Sequence, residues 1–343
     1  MENFEKLNFL KKWLNNNHIK FVENFDLKLR SWIKAGGIIK LYIKPKTQLE
    51  TINLVKFLNE QKVNFYVLGN ISNTLIRDGE IFTPIINLNN LNKINQEKND
   101  NILSVDAGVS LTRFSNYLLN CNISGAEGLM GIPGTIGGGV VMNASSYSSC
   151  ISDYIVSVEV VDIYGNKKIL TKDEINFQWR YSIFKDSFFI ILKANFLFPK
   201  NNYSKREILE KKMFKIKKHR NAFQEKKYPN LGSTFATQNI YKDLSKKNIF
   251  FNIIYFLYKL LSFFCSLISE TYLLKFRKFA VLFYSKLLGI KNSEKFFFSD
   301  RTINCVVNLG SNNGNEAIKF VKFFENKLRG CCQLENIIID KIE

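Results

Sequence analysis

The segment Gly125-Ala126-Glu127-Gly128-Leu129-Met130-Gly131-Ile132-Pro133-Gly134-Thr135-Ile136-Gly137-Gly138-Gly139-Val140-Val141-Met142-Asn143-Ala144 gathers seven of the chain's 18 glycines. Glycine reaches positive φ without strain and lets backbone N–H groups approach a ligand closely. The densest part, 131–139, reads as a loop whose successive N–H groups point into one concavity, an anion nest suited to a diphosphate. Tight turns use the same residues, so the run alone leaves a plain turn open. It lacks the terminal Gly-Lys-Ser/Thr of a nucleotide P-loop and does not directly follow a strand in a βαβ unit. Neither a kinase-like ATP site nor a dinucleotide-fold NAD site is supported.

Around this run the chain alternates strand and helix patterns. Ile39 to Ile43 reads as a strand and Leu49 to Gln61 as an amphipathic helix. Phe65 to Leu68 reads as a short buried strand that ends in the loop Gly69-Asn70-Ile71-Ser72-Asn73. Ile102 to Val105 is a further strand, and Leu111 to Asn120 a helix. Ser157 to Ile163 and Lys168 to Leu170, joined by Tyr164-Gly165-Asn166, read as a hairpin, and Phe188 to Phe198 as a long strand closed by Pro199. The fold class is therefore α+β, and 343 residues suit two or three subdomains better than one core.

Composition narrows the function. The six cysteines stand apart from any C-x-x-C pair and the chain has two histidines, which argues against a zinc site, any other metal centre and a disulfide framework. The net charge of +19 favours anionic partners. The densest basic run, 205–227, sets ten Lys and Arg against three Glu but also carries Ile208, Met213, Phe214 and Ile216. That mixture describes a solvated helix face, so no nucleic-acid partner is expected. The stretch from Met1 to Asn17 lacks the uninterrupted apolar core of a signal peptide, and the protein is expected in the cytoplasm.

The glycine-rich run from Gly125 to Ala144 closely resembles the flavin loop of the UDP-N-acetylenolpyruvoylglucosamine reductase family. Other motifs of that family follow in order. Ser31-Trp32-Ile33-Lys34-Ala35-Gly36-Gly37 is similar to "TTFRVGG", and Leu68 to Gly79 to "LGGGSNLLVRDGG". Trp179 to Lys185 resembles "YRxSxFK", Gly232-Ser233-Thr234-Phe235 resembles "GSxF", and Asn304 to Asn308 resembles "NFIVN". The likeness covers about 30–240 firmly and 299–340 loosely. It implies a two-subdomain FAD-binding fold of the PCMH type over 1–95 and 96–204. A smaller α+β substrate domain over 205–343 follows, with an apolar helical insertion at 249–290. It further implies non-covalent FAD held by Gly69, Asn70, Ile71, Ser72 and Asn73, and by Pro133, Gly134, Thr135, Gly137, Gly138 and Asn143. NADPH would be the electron donor and a UDP-linked sugar the substrate.

The reaction implied by the resemblance is hydride addition to an enolpyruvyl double bond, which builds negative charge conjugated into the carboxylate. Arg180 matches the family's cation for that charge, and its planar fork suits the task. Ser233 matches the serine that protonates C2, although a serine is a poor acid without a partner or water chain. The family's "LExEV" tail meets Leu334-Glu335-Asn336-Ile337 here. Aligned without gaps, Ile337 takes the catalytic place, while a two-residue slip makes Glu335 the catalytic carboxylate. Thr234-Phe235-Ala236-Thr237 departs from "FKNP", and Arg301 and Tyr181 remain as candidate substrate contacts. Three functions stay open: the family's reductase, a divergent flavin oxidoreductase for another nucleotide- or membrane-linked sugar, and a catalytically silent flavoprotein that docks on a membrane or partner.

That last reading draws on the insertion. Ile249 to Ser269 carries one charge, Lys259, in 21 residues. Asn252, Tyr255, Lys259, Ser262, Ser266 and Ser269 recur every three or four positions, as on a helix with one wet face. A buried helix or one lying in a membrane interface fits this better than a lipid-spanning one. The expectation is one or two helices with an apolar face turned outward, placing the enzyme at the inner face of the cell membrane or against a protein.

Overall fold

A computed structural model describes residues 2–96, 102–291 and 294–340. Two sheets and a helical third part organise them. The first sheet runs in the order Lys20–Asp26, Ile38–Lys44, Ile85–Ile86, Tyr66–Val67, with Glu80–Ile81 also paired to Ile38–Lys44. Ile39, Leu41 and Ile43 lie on one face of their strand and are fully buried, as the period-2 pattern requires. The helix Gln48–Glu60 packs Leu54, Val55 and Leu58 into one core with Leu41 and Ile43, and its N-cap Thr47 accepts from Glu50 N.

The second sheet is antiparallel throughout, in the order Lys167–Thr171, Ile155–Val161, Ile190–Leu197, Ile102–Asp106, Ile94–Gln96. Val158 faces Ala194, which in turn faces Val105, and all three are fully buried. The helix Leu111–Asn120 has the bounds its sequence pattern predicts, because Leu111, Phe114 and Leu118 form one apolar stripe and Ser110 caps it. One apolar core joins residues from Leu7 to Phe198 and so ties the two sheets together.

A second core gathers residues from Leu231 to Leu328 and draws in Ile33, Ala35 and Leu75 from the first part of the chain. It is built on the hairpin Phe296–Ser299 with Thr302–Asn308 and on the helix Gly314–Lys327. The last strand, Ile337–Ile339, returns to pair in parallel with Thr74–Ile76. The basic helix Arg206–Phe223 buries Leu209, Met213 and Ile216 but leaves Ile208 and Phe214 exposed.

Two expectations need correction. The strand at 65–68 shrinks to Tyr66–Val67 and is not buried, because Phe65 to Leu68 line an open cavity instead of a core. The glycine run 131–139 is only half a loop: Ile136–Val141 is a short helix with Thr135 as its cap. The insertion forms two helices, Ile249–Ile268 and Glu270–Leu287, joined at Ser269.

Candidate active site

A cavity of about 990 Å³ opens between the two sheets. Tyr66, Leu68, Gly69 and Asn89 line it from the first part, Gly108, Thr135, Gly137 and Gly138 from the second, and the strand Ile337–Ile339 from the third. Gly69 puts the start of the loop 69–73 at one rim. Ile71 sits there at φ 52°, the left-handed region, a strain on a β-branched residue of about 1–2 kcal/mol. Burial of its side chain with Leu68, Ile76 and Ile339 offsets that strain. The backbone N–H groups from Gly69 to Asn73 donate to no acceptor among the described residues. Five consecutive free donors on a bent loop are what an anionic group needs.

The glycine run behaves differently. Ile136 N donates to Val109 O, Gly137 N to Ala107 O, Gly138 N to Thr135 Oγ1 and Gly139 N to Thr135 O. Gly131 N reaches Thr112 Oγ1. The expected nest of free N–H groups along 131–139 is therefore mostly closed, since the short helix and its neighbours use those donors. Its glycines serve close approach instead. A Cβ on Gly69 would lie 2.7 Å from Thr135 Oγ1, so the two rims meet without room for a side chain. Asparagines hold them in register. Asn70 Nδ2 donates to Pro133 O at 3.4 Å and its Oδ1 accepts from Asn89 Nδ2 at 2.9 Å. Asn87 Nδ2 fixes the carbonyls of Leu68 and Gly69. Asn143, expected against the cofactor, uses its side chain within the protein: Nδ2 donates to Gln178 O and Oδ1 accepts from Cys150 Sγ.

At the end of the 69–73 rim the C-terminal segment closes the site. Glu335 N and Asn336 N both donate to Thr234 O, and Asn73 Nδ2 donates to Glu335 O at 3.0 Å. Asn336 Nδ2 bridges Asn73 Oδ1 at 2.7 Å and Ser233 O at 3.2 Å. This brings Ser233, Glu335 and the cavity rim together. Arg180 joins them: its Nε lies 3.4 Å from Glu335 Oε1, with side chains only 20% and 12% exposed. The Nε–H is not aimed at the carboxylate, so the attraction is Coulombic and not a directed hydrogen bond. Arg180 stands at φ 57° beside Trp179, whose ring its guanidinium faces. Burial pushes the Glu335 carboxyl above its ordinary range, and Arg180 and then Lys185 pull it part of the way back.

Tyr181 and Arg301 make no bond to this group among the described residues. Tyr181 turns its hydroxyl to Asp186 Oδ2 at 2.8 Å. Arg301 sits at the turn of the 296–308 hairpin, where its N–H donates to Ser299 Oγ and its guanidinium has no partner among the described residues. Ser233 is exposed, and its hydroxyl likewise has none. Ile337 belongs to the returning strand opposite Thr74. Sequence reasoning did not single out Asn87, Asn89, Asn336 or Lys185. The asparagines were hidden by a composition rich in Asn throughout, and Lys185 was visible only as a motif letter.

Residues 39–170 match the FAD binding domain family, a stretch that contains both rims of the cavity. Across a longer span the chain is 35% identical to the UDP-N-acetylenolpyruvoylglucosamine reductase of Caldanaerobacter subterraneus over 216 residues, 63% of this chain and 70% of that protein. The enzyme of the same name from Orientia tsutsugamushi is 38% identical over 226 residues, 65% of this chain and 73% of its own length. The chain belongs to the UDP-N-acetylenolpyruvoylglucosamine reductase family. The fold agrees: the structure of UDP-N-acetylenolpyruvylglucosamine reductase from Thermus caldophilus superposes with a TM-score of 0.64 at 19% identity, over 94% of this chain and 98% of the other. A diphosphate needs free donors and close backbone approach, and the open N–H groups of 69–73 and the tight contact of Gly69 with the Thr135 side chain offer both.

Proposed function

We propose that this chain is an FAD-dependent reductase that converts UDP-N-acetylglucosamine enolpyruvate into UDP-N-acetylmuramate in the cytoplasm, with NADPH as electron donor. The observation that carries this reading is the Arg180–Glu335 pair, half-buried together beside the 69–73 loop. FAD, when bound without a covalent link, supplies the hydride chemistry. The rims 69–73 and 133–138 would hold it, with the units 1–95 and 96–204 on either side and 205–343 carrying the substrate.

Arg180 would fix the enolpyruvyl carboxylate and stabilise the charge that develops on it. Glu335, its carboxyl raised by burial, would hold a proton near neutral pH more readily than an exposed carboxylate and supply it toward C2. Ser233 would pass that proton, since Glu335 N is anchored on the carbonyl of Thr234, the chain neighbour of Ser233. Arg301 and Tyr181 would contact the nucleotide sugar. The test mixes purified yellow protein with NADPH, then with the enolpyruvyl sugar. Bleaching and return of the flavin band support the reading, and a band that bleaches but does not return on substrate sinks it. The segment 249–290 would contact the inner face of the cell membrane or a partner.

A further inference from the structure

The helix Ile249–Ile268 buries no residue fully, yet only three of the charges between Asp243 and Glu270 exist, all positive: Lys246, Lys247 and Lys259. At 100° per residue its side chains fall into three sectors. Phe251, Ile254, Tyr255 and Tyr258 face the second core, with Tyr258 tilted against Tyr241 at 4.7 Å and stacked on Phe276 at 5.6 Å. Asn252, Lys259 and Ser266 form a narrow polar stripe beside them. The remaining arc, roughly 160° wide by that wheel, is apolar and open to solvent: Phe256 is 63% exposed, Phe264 56% and Leu267 66%. The polar stripe expected from sequence is thus split, with Tyr255, Ser262 and Ser269 half-buried and Asn252, Lys259 and Ser266 outside. On Glu270–Leu287 the outer face interleaves exposed Phe279, Leu282 and Phe283 with Lys275 and Lys286.

We propose that this face docks on the surface of an anionic lipid bilayer, with Ile249–Ile268 lying in the interfacial plane. The proposal narrows the contact at 249–290 to one partner and uses none of the residues assigned to reduction, so either can fail alone. Packing of one side against the domain core keeps the helix parallel to the protein surface and prevents it from spanning while folded. The helix length of 20 residues, about 30 Å at 1.5 Å per residue, lets its apolar arc sink into the headgroup boundary, as amphipathic helices do. Charge decides between a bilayer and a second copy. Lys259, Lys275 and Lys286 have no carboxylate partner among the described residues. A two-fold contact would bring two copies of this one face together, and the face carries lysines with no acid on either side to answer them. Anionic headgroups supply the missing charge.

The experiment is co-sedimentation of the full chain with vesicles of phosphatidylcholine alone and of phosphatidylcholine with phosphatidylglycerol, at low and high potassium chloride. Wild type should pellet with the anionic vesicles, about a hundredfold less with neutral ones or in high salt, on the scale of three surface lysines. Phe256→Gln with Phe264→Gln and Leu267→Gln should abolish pelleting, and Lys259→Glu with Lys286→Glu should weaken it at least about thirtyfold. Retained flavin absorbance in each variant confirms that it has folded. Pelleting no greater than in vesicle-free controls overturns the proposal. So does equal binding to both vesicle types, or a wild-type dimer in light scattering that the apolar variant dissociates and vesicles do not.

Discussion

The two rims of the cavity differ in a way their composition reverses. The run 131–139 has five glycines, yet its helix and the neighbouring loops take up most of its N–H groups. The loop 69–73 has one glycine, yet its five backbone donors find no acceptor among the described residues. Glycine content reports how closely backbones approach, while free donors depend on what else the chain offers them. Gly128 shows the first role in an extreme form, because a Cβ there would meet Ser146 O at 1.9 Å. The 69–73 rim shows the second, and through Asn73 it also anchors the segment that carries Glu335.

This contrast predicts that changes on the glycine side act on stability, and changes on the other rim act on cofactor or turnover. The largest effect should come from Gly128→Ala, which forces backbone apart and should cost about 3 kcal/mol. Thermal melting of protein stripped of FAD is the check, and an unchanged midpoint with weakened FAD binding would reverse the assignment of roles. Next, Arg180→Ala should leave flavin content intact and slow reoxidation by the enolpyruvyl sugar by about 10²-fold, the scale for one electrostatic donor. Stopped-flow absorbance reads this step directly, and a wild-type rate removes Arg180 from the chemistry. Rescue by Lys should be partial, since an ammonium lacks the planar fork.

Smaller still, Asn70→Ala removes the tether to Pro133 O and the acceptor for Asn89. It should weaken FAD binding about tenfold, or about 1.4 kcal/mol, with little change in the melting of the stripped protein. Fluorescence-quenching titration distinguishes this from general destabilisation, which would lower both. The smallest effect concerns pH. Because burial raises the Glu335 carboxyl, the folded chain binds more protons than the unfolded one between the ordinary carboxylate range and Glu335's own value. Wild-type stability should therefore fall as pH rises through that window and level off above it. Glu335→Gln should lack this fall in denaturant midpoints measured across the same range; parallel curves would mean that the carboxyl titrates normally.

Local pattern was enough for much of the framework. The stripe of Leu111, Phe114 and Leu118 and its Ser110 cap bound a helix with no help from distant residues, and the pattern at 39–43 marked a strand. The motifs likewise placed the chain in its family, because each depends on residues adjacent in sequence. The outward apolar face of 249–268 was legible as composition, although which residues point outward was not, since packing against Tyr241 and Tyr284 sets the rotation of the helix.

Long-range hydrogen bonds shape the rest. Glu335 and Ile337 compete for one place in the alignment, and periodicity cannot choose between them. The choice of neighbour is made by Thr234 O, which takes the N–H groups of 335 and 336, and by Asn73, which takes the N–H of Ile337 on its carbonyl and holds the carbonyl of Glu335 with its side chain. These partners stand more than a hundred, and more than two hundred and fifty, residues away. The same holds for the donors of 131–139: Val109 and Ala107 decide whether those N–H groups are open. Sequence alone determines which groups a segment carries and how its own turns form. Which of those groups remain unpaired is a property of the whole packed chain, because every buried donor must find its acceptor wherever the fold brings one.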